Sequence, residues 1–165
     1  MMQMPQGGKS ITKQSSVLQG GSPMNNKNRK RTPMIGEVYM MQFTGTGSEQ
    51  QGWRPGVIFQ NNTGNRYSPN VIVLPLTSSI KKMSQPTHVF LPAAETGLKM
   101  DSVVLCENPE KMSKAKLGKF ITKLPDEYMK AIAYAHIIAT SAISFLNLGE
   151  ITEAWEKAVR CNSIA

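Results

Sequence analysis

The sequence is poor in the residues that build metal sites and disulfide frameworks. Its two cysteines, Cys106 and Cys161, are far apart without CxxC spacing, and the chain has only 2 histidines. This composition argues against a disulfide framework and against a zinc site. Patterns such as HExxH or a Ser-His-Asp spacing are also absent. We therefore predict reduced thiols, no metal and no cofactor.

The chain also has no hydrophobic run of membrane-spanning length. Its first residues lack the apolar segment of a signal peptide. The most apolar stretch, residues 131–146, is shorter than a membrane span and is interrupted by polar side chains. We expect that stretch to be a buried helix, in a cytoplasmic protein that does not enter a membrane.

Acidic residues are missing from the first 32 positions, which explains most of the formal charge of +8. That segment holds 6 of the 19 basic residues, so the rest of the chain has 13 against 11 acidic ones. Residues 1–33 are rich in Gln, Gly, Ser, Asn and Lys and lack periodicity, which predicts a disordered basic leader. Any RNA-binding surface on the folded part must come from local arrangement.

Short strands dominate the middle of the chain. Hydrophobic patterning predicts strands over 37–43, 55–61, 70–75, 88–91 and 102–107, with a turn at 62–65 and the third strand buried on both faces. Residues 113–121 favour a short helix or turn. A long helix is predicted from Pro125 to about Leu146, followed by an amphipathic helix over 151–159. Since no helix alternates with the strands, we predict a strongly bent antiparallel sheet or small barrel with a helix packed on it.

One segment has the composition of a phosphate-binding site. A polar loop from Gly47 ends in Trp53 and Arg54, just where a strand is predicted to begin. The guanidinium fork suits a phosphate, and the indole could stack on a base. On composition alone, a surface loop with an incidental arginine is an equal alternative.

Several sequence blocks decide between these alternatives. Residues 47–61 read GSEQQGWRPGVIFQN, followed by GNRYSP at 64–69, VIV at 71–73, LT at 76–77, PTHV at 86–89 and DSVVLCE at 101–107. In this order and spacing they resemble the MazF/PemK family of toxin endoribonucleases. The resemblance covers about residues 35–149, which is most of the predicted folded chain.

The resemblance implies a fold that is mainly β with α, an SH3-like small barrel of antiparallel strands (CcdB/PemK-like) with a long C-terminal helix. It divides the chain into the leader, a toxin domain at 34–149 and an amphipathic extension at 150–165. It further implies a homodimer that cuts single-stranded RNA without a metal. The 2′-hydroxyl would attack the neighbouring phosphate, leaving a 2′,3′-cyclic phosphate and a 5′-hydroxyl. A cognate acidic antitoxin is the implied partner, with DNA contacted only indirectly through it.

The resemblance also implies the site residues, with Arg54 and Thr77 as the catalytic pair. Because arginine does not deprotonate in proteins and threonine is a weak base, we expect Arg54 to stabilise the transition state and Thr77 to orient the 2′-hydroxyl. The RNA-binding candidates are Ser48, Glu49, Gln50, Trp53, Ser78, Ser102, Glu107 and Asn108. Of these, Trp53 stands at a variable position, so its stacking role is inferred from its chemistry.

The sequence departs from the family after Glu107. Relatives usually continue with Gln, an aliphatic residue and Arg, whereas this chain has Asn108, Pro109 and Glu110. Residues near this position help to recognise bases in relatives, so the cleavage sequence cannot be carried over. Two alternatives remain open. One is a non-catalytic binding protein on the same fold, either a gyrase inhibitor or an antitoxin-coupled repressor. The other is an acid/base pair of His88 and His136.

Overall fold

The computed structural model describes residues 31–45, 50–79 and 84–162. The predicted leader, apart from its last three residues, and the candidates Ser48 and Glu49 lie outside these ranges. Seven strands and four α-helices are found within them. The strands are β1 Glu37–Thr44, β2 Gln51–Ile58, β3 Asn70–Thr77, β4 His88–Leu91, β5 Ser102–Leu105, β6 Glu110–Ser113 and β7 Leu117–Lys123. The helices are α1 Asn62–Tyr67, α2 Ala93–Thr96, α3 Asp126–Ala139 and α4 Leu148–Asn162.

The described strands form one antiparallel sheet in the order β4-β5-β3-β2-β1-β7, with β6 paired to β3. Strand β3 is the centre of this arrangement because it pairs with three other strands. Its first half pairs with β6 from Asn70 to Val73, and its end pairs with β5 at Leu76 and Thr77. On its other edge, β3 pairs with β2 from Val73 to Pro75. The predicted antiparallel sheet is therefore confirmed.

Alternation along β3 explains why this strand is buried on both faces. Leu74 and Leu76 join one core cluster, and Val71 and Val73 join another. Successive strand residues point to opposite faces, so a continuous apolar run serves two cores at once. Ile72 is the exception, since its side chain is exposed.

Helix α3 packs on the first core cluster through Ile132 and Ala135. It begins after Pro125, as predicted, but it ends at Ala139, so the predicted end near Leu146 is wrong. Ser141 adopts a left-handed φ of 54°, and Ala142–Phe145 form a separate 3-10 helix. The prediction of a buried helix over 131–146 is also wrong, because its second half is largely exposed.

Four further predictions of secondary structure need correction. Residues 62–65 begin the short helix α1, because the Asn61 side chain accepts a hydrogen bond from the Gly64 N–H at 2.8 Å and caps it. The short helix or turn predicted over 113–121 is limited to a 3-10 helix at Lys114–Lys116, and Leu117–Lys123 form β7 because they pair with β1, although their sequence has no clear alternation. Strand β2 starts four residues earlier than predicted and ends at Ile58. Strand β6 was not predicted at all.

A buried carboxylate lies where the described chain enters the sheet. Glu37 is only 1% exposed. It forms an ion pair with Arg31 and accepts hydrogen bonds from the Tyr39 hydroxyl at 2.7 Å and the Met34 N–H at 2.9 Å. Because a buried charge needs such partners, these contacts fix the start of β1. Burial, followed by the hydrogen bond to Glu37, raises the pKa of Tyr39 to about 12.

We predict that alkaline pH will destabilise the fold through Tyr39. The folded state favours the neutral phenol, so its contribution is complete below about pH 10 and is lost as the pH rises toward 12. The free energy of unfolding should fall by up to about 1.4 kcal/mol per pH unit from this group. The Tyr39→Phe variant should be less stable than the wild type at neutral pH, but its free energy of unfolding should fall less than that of the wild type above about pH 10.

Urea unfolding at about pH 8 and about pH 11 measures this difference. The hydrogen bond to Glu95 likewise raises the pKa of Tyr128 to about 12, but Tyr128 is present in both proteins and cancels from the comparison. Equal losses in the wild type and in Tyr39→Phe would contradict the prediction.

Candidate active site

Arg54 lies within β2, where two neighbouring residues of the same chain segment hold its guanidinium. Its Nε donates to the Gln51 carbonyl at 2.7 Å, and its Nη1 donates to the Gln50 side-chain oxygen at 2.8 Å. Within the described part of the chain, the remaining guanidinium donors have no partner. The half-buried side chain is thus oriented by the strand and still has donors for a phosphate.

Thr77 ends β3 on the neighbouring strand. Gly56 lies opposite Pro75 and Val57 lies opposite Leu74. Continuing this register by two residues sets Arg54 against Thr77, and directly opposed residues point to the same face of a sheet. The Thr77 Oγ1 accepts a hydrogen bond from the Ser79 N–H at 3.1 Å, which leaves its hydroxyl proton available for another acceptor.

The next strand adds two more hydroxyl groups by the same reasoning. Thr77 lies opposite Val103 on β5, and continuing that register sets Ser78 against Ser102. The side chains of Arg54, Thr77, Ser78 and Ser102 line one cavity of about 240 Å³, together with Trp53, Pro55, Leu76 and Met100. The lining thus combines one guanidinium, three hydroxyls and one indole. The predicted residues Arg54, Thr77, Trp53, Ser78 and Ser102 are brought together here.

The remaining described candidates line a second cavity of about 580 Å³. Gln50, Glu107 and Asn108 are found there, with Thr44, Gly45, Pro109 and Glu110. The side chain of Glu107 contacts the Nε2 of His88 at 2.9 Å, so this carboxylate is held in place. Gln50 both lines this cavity and binds Arg54, and it therefore connects the two cavities.

The two histidines lie outside both cavities. The His88 side chain is 4% exposed and pairs with Glu107. His136 contacts the Cys106 carbonyl through Nδ1 at 2.9 Å, and its ring packs edge-on against Phe59 at 5.0 Å. Both have structural partners away from Arg54 and Thr77. This placement gives no support to an acid/base pair.

Other possible sources of chemistry are limited. Burial and the nearby Glu107 raise the pKa of the Cys106 thiol to about 12, which disfavours a reactive thiolate. No group of three or more His, Cys, Asp or Glu side chains is placed to hold a metal within residues 31–45, 50–79 and 84–162. None of the helices within these same ranges combines the length and the hydrophobicity of a membrane span.

Sequence reasoning missed the residue that supports Trp53. A Cβ atom added to Gly118 would meet the indole at 2.7 Å and the Met40 carbonyl oxygen at 3.0 Å. The indole, which is 56% exposed, therefore lies against the backbone of β7 at a point where a Cβ atom would collide with the ring as it is placed. Nothing in the sequence indicates this contact, because Trp53 and Gly118 belong to distant strands.

Comparison with known proteins assigns the chain to a family. Residues 35–138 match the family model of the PemK-like, MazF-like toxins of type II toxin–antitoxin systems. The chain belongs to this family. The match confirms the resemblance found in the sequence, and α4 lies beyond its end.

Individual relatives support the assignment. The chain is 40% identical to endoribonuclease EndoA of Bacillus subtilis (strain 168) over 111 residues, 67% of this chain and 96% of the relative. It is 44% identical to endoribonuclease MazF of Staphylococcus saprophyticus over 98 residues, 59% of this chain and 82% of the relative. A solved mycobacterial endoribonuclease in complex with its cognate antitoxin has 25% identity and a TM-score of 0.53, covering 68% of this chain and 96% of that one. The predicted CcdB/PemK-like fold is confirmed.

We predict that Gly118→Ala will displace the Trp53 indole, because the new methyl group has no room beside a rigid ring and a backbone carbonyl. The change should alter the fluorescence of Trp53, measured with Trp155 replaced by phenylalanine. Gly149→Ala is a matched control, because a Cβ there would meet only the Asn147 side chain. Identical spectra for Gly118→Ala and its parent would contradict the prediction.

Proposed function

We propose that this MazF-type toxin is a metal-independent, sequence-specific endoribonuclease that cuts single-stranded mRNA. The observation that supports it most strongly is the cavity that Arg54 and Thr77 both line, which brings a charged donor and a hydroxyl together from neighbouring strands. The activity named for the EndoA and MazF relatives agrees with this proposal. We expect the protein to act in the cytoplasm.

The proposed reaction is an in-line transesterification within the RNA. The 2′-oxygen of the ribose attacks the adjacent phosphorus, and the bond from phosphorus to the 5′-oxygen of the next nucleotide breaks. The proton of the 2′-hydroxyl leaves to an acceptor, and the departing 5′-oxygen gains a proton, directly or through water. The products are a 2′,3′-cyclic phosphate and a 5′-hydroxyl.

The two residues divide the catalytic work. Negative charge grows on the phosphoryl oxygens, where the remaining guanidinium donors of Arg54 can bind bidentately. Gln50 and Gln51 hold that guanidinium before the substrate arrives, which reduces the cost of orienting it. Thr77 orients the 2′-hydroxyl, since a threonine hydroxyl is too weak a base to remove the proton unaided.

The second cavity is where we place recognition of the bases beside the cut. Glu107, Glu110 and Asn108 supply carbonyl and carboxylate acceptors at its surface. The chain departs from the family's usual residues at this point, so its cleavage sequence should differ from those of relatives that have Gln and Arg. Ser48 and Glu49 belong to the same proposal, although they lie outside the described residues.

We further propose a homodimer that a cognate antitoxin inhibits. The antitoxin would be an acidic, partly disordered peptide that occupies the RNA-binding surface, and any contact with DNA would be made through it. The solved mycobacterial endoribonuclease in complex with its antitoxin is consistent with this partner.

Arg54→Ala should lower kcat by about 10²–10³-fold, the loss expected when one preorganised donor to a developing anion is removed. Arg54→Lys should recover part of the activity, because it restores the charge but not the bidentate fork. The measurement is cleavage of single-stranded RNA in EDTA. Arg66→Ala, at an exposed arginine on α1, is the matched control and should cleave like the wild type. Undiminished cleavage by Arg54→Ala, or a requirement for divalent metal, would contradict the mechanism.

Thr77→Val should lower kcat by about 10–100-fold, because it keeps the shape of the side chain but removes the group that aligns the 2′-hydroxyl. Thr77→Ser keeps the hydroxyl and should retain most activity. If Thr77 only orients the nucleophile, the pH–rate profiles of wild type and Thr77→Ser should coincide. Equal activities of the Val and Ser variants would show that this hydroxyl has no role.

A further inference from the structure

A third cavity of about 520 Å³ adjoins the Arg54–Thr77 cavity. We call it the flanking groove. It is lined by Met40, Pro55, Gly97, Leu98, Lys99, Met100, Ser102, Lys119, Phe120 and Ile121. None of the site residues predicted from the sequence other than Ser102 lies in it, and neither catalytic side chain belongs to it.

The flanking groove has an apolar wall with a rigid aromatic ring. Phe120 is 38% exposed and Met100 is 58% exposed. The Phe120 ring makes an edge-on contact with Tyr39, at 5.6 Å between centroids, and the Arg31 guanidinium lies over it at 5.2 Å from the centroid. A fixed and partly exposed ring is the kind of surface on which a nucleobase stacks.

The groove is also positively charged at its rim. Lys99 and Lys119 are exposed, and neither forms an ion pair with a carboxylate of the described residues. The acid nearest in sequence to Lys99 is Asp101, and its Oδ1 accepts a hydrogen bond from the Ala93 N–H at 2.8 Å. Two ammonium groups beside an apolar wall suit a ligand with phosphates and flat rings.

The groove is continuous with the proposed active site. Pro55, Met100 and Ser102 line both cavities. An RNA strand continues on both sides of the bond that is cut, so a nucleotide beyond the scissile phosphate can pass from one cavity into the other over these three residues.

We propose that the flanking groove is an accessory RNA subsite that binds a nucleotide next to the cleaved step. Phe120 and Met100 contact its base, and Lys99 and Lys119 contact its phosphates. This inference rests on the proposed endoribonuclease function. An acidic peptide would also be attracted by the lysines, but continuity with a phosphate site and an exposed flat ring favour RNA.

The test compares two RNAs that share a mapped cleavage site, a short one and one extended by two nucleotides on either side. For the wild type, kcat/KM should be higher for the extended RNA. In the double variant Lys99→Gln/Lys119→Gln, the kcat/KM for the extended RNA divided by that for the short RNA should fall about tenfold, within the range expected for loss of one bound nucleotide. Lys123→Gln/Lys130→Gln removes the same charge at exposed lysines outside the three cavities and should keep the wild-type ratio.

The salt dependence of binding gives an independent readout. With uncleavable RNA, which has a 2′-deoxy sugar at the cut, the slope of log K against log salt should fall in magnitude by about 1.4 in Lys99→Gln/Lys119→Gln, about 0.7 for each lost phosphate contact. A merely structural role for these lysines would not change that slope.

Three results would overturn the proposal. The first is a wild type whose kcat/KM is no higher for the extended RNA than for the short one. The second is a double variant whose ratio of kcat/KM values and whose salt-dependence slope are both unchanged. The third is weaker binding of poly-glutamate by the double variant with unchanged RNA binding, which would assign the groove to an acidic peptide. If the wild type cut neither RNA, the proposed function itself would fail. That result can be told apart from the three above, because each of them requires either a wild type that cleaves RNA or RNA binding that is intact.

Discussion

The site depends on the register of three paired strands. The register of β2 with β3, continued two residues beyond its last pair, sets Arg54 against Thr77, and that of β3 with β5, continued by one, sets Ser78 against Ser102. A slip of one residue in either pair would turn one partner to the opposite face of the sheet. The two core clusters that β3 enters on its two faces oppose such a slip, since it would exchange the leucines of one cluster for the valines of the other. Core packing therefore fixes the geometry of the chemistry.

Contacts from outside the three strands complete the site. Gln50 holds the Arg54 guanidinium and also lines the cavity that contains Glu107 and Asn108, so proposed base recognition and proposed catalysis share one side chain. Across the sheet, the absence of a side chain at Gly118 lets the Trp53 indole lie against β7. An arginine oriented before substrate binds is the kind of preorganised donor that lowers the barrier to phosphoryl chemistry.

Sequence patterning predicted most of the strands, because apolar runs such as 70–75 must be buried wherever they occur. It failed for β7 and β6, whose residues are mostly polar or exposed and become strands only through pairing with β1 and β3. For the site, the family resemblance indicated Arg54 and Thr77, but only the folded structure shows that they line one cavity. The support of Trp53 by Gly118 and the groove beside Met100 arise from distant parts of the chain, and no local pattern indicates them.

In the proposed mechanism, the 2′-hydroxyl of the RNA is the nucleophile, aligned by Thr77 while Arg54 stabilises the phosphorane. Replacing only the ribose at the cut position with 2′-deoxyribose is the sharpest test of this mechanism, because it removes the nucleophile and leaves the protein unchanged. This RNA should bind but should not be cut, and the all-ribose RNA should give a 2′,3′-cyclic phosphate and a 5′-hydroxyl. Cleavage at the 2′-deoxy position, or products with 5′-phosphate ends, would contradict it.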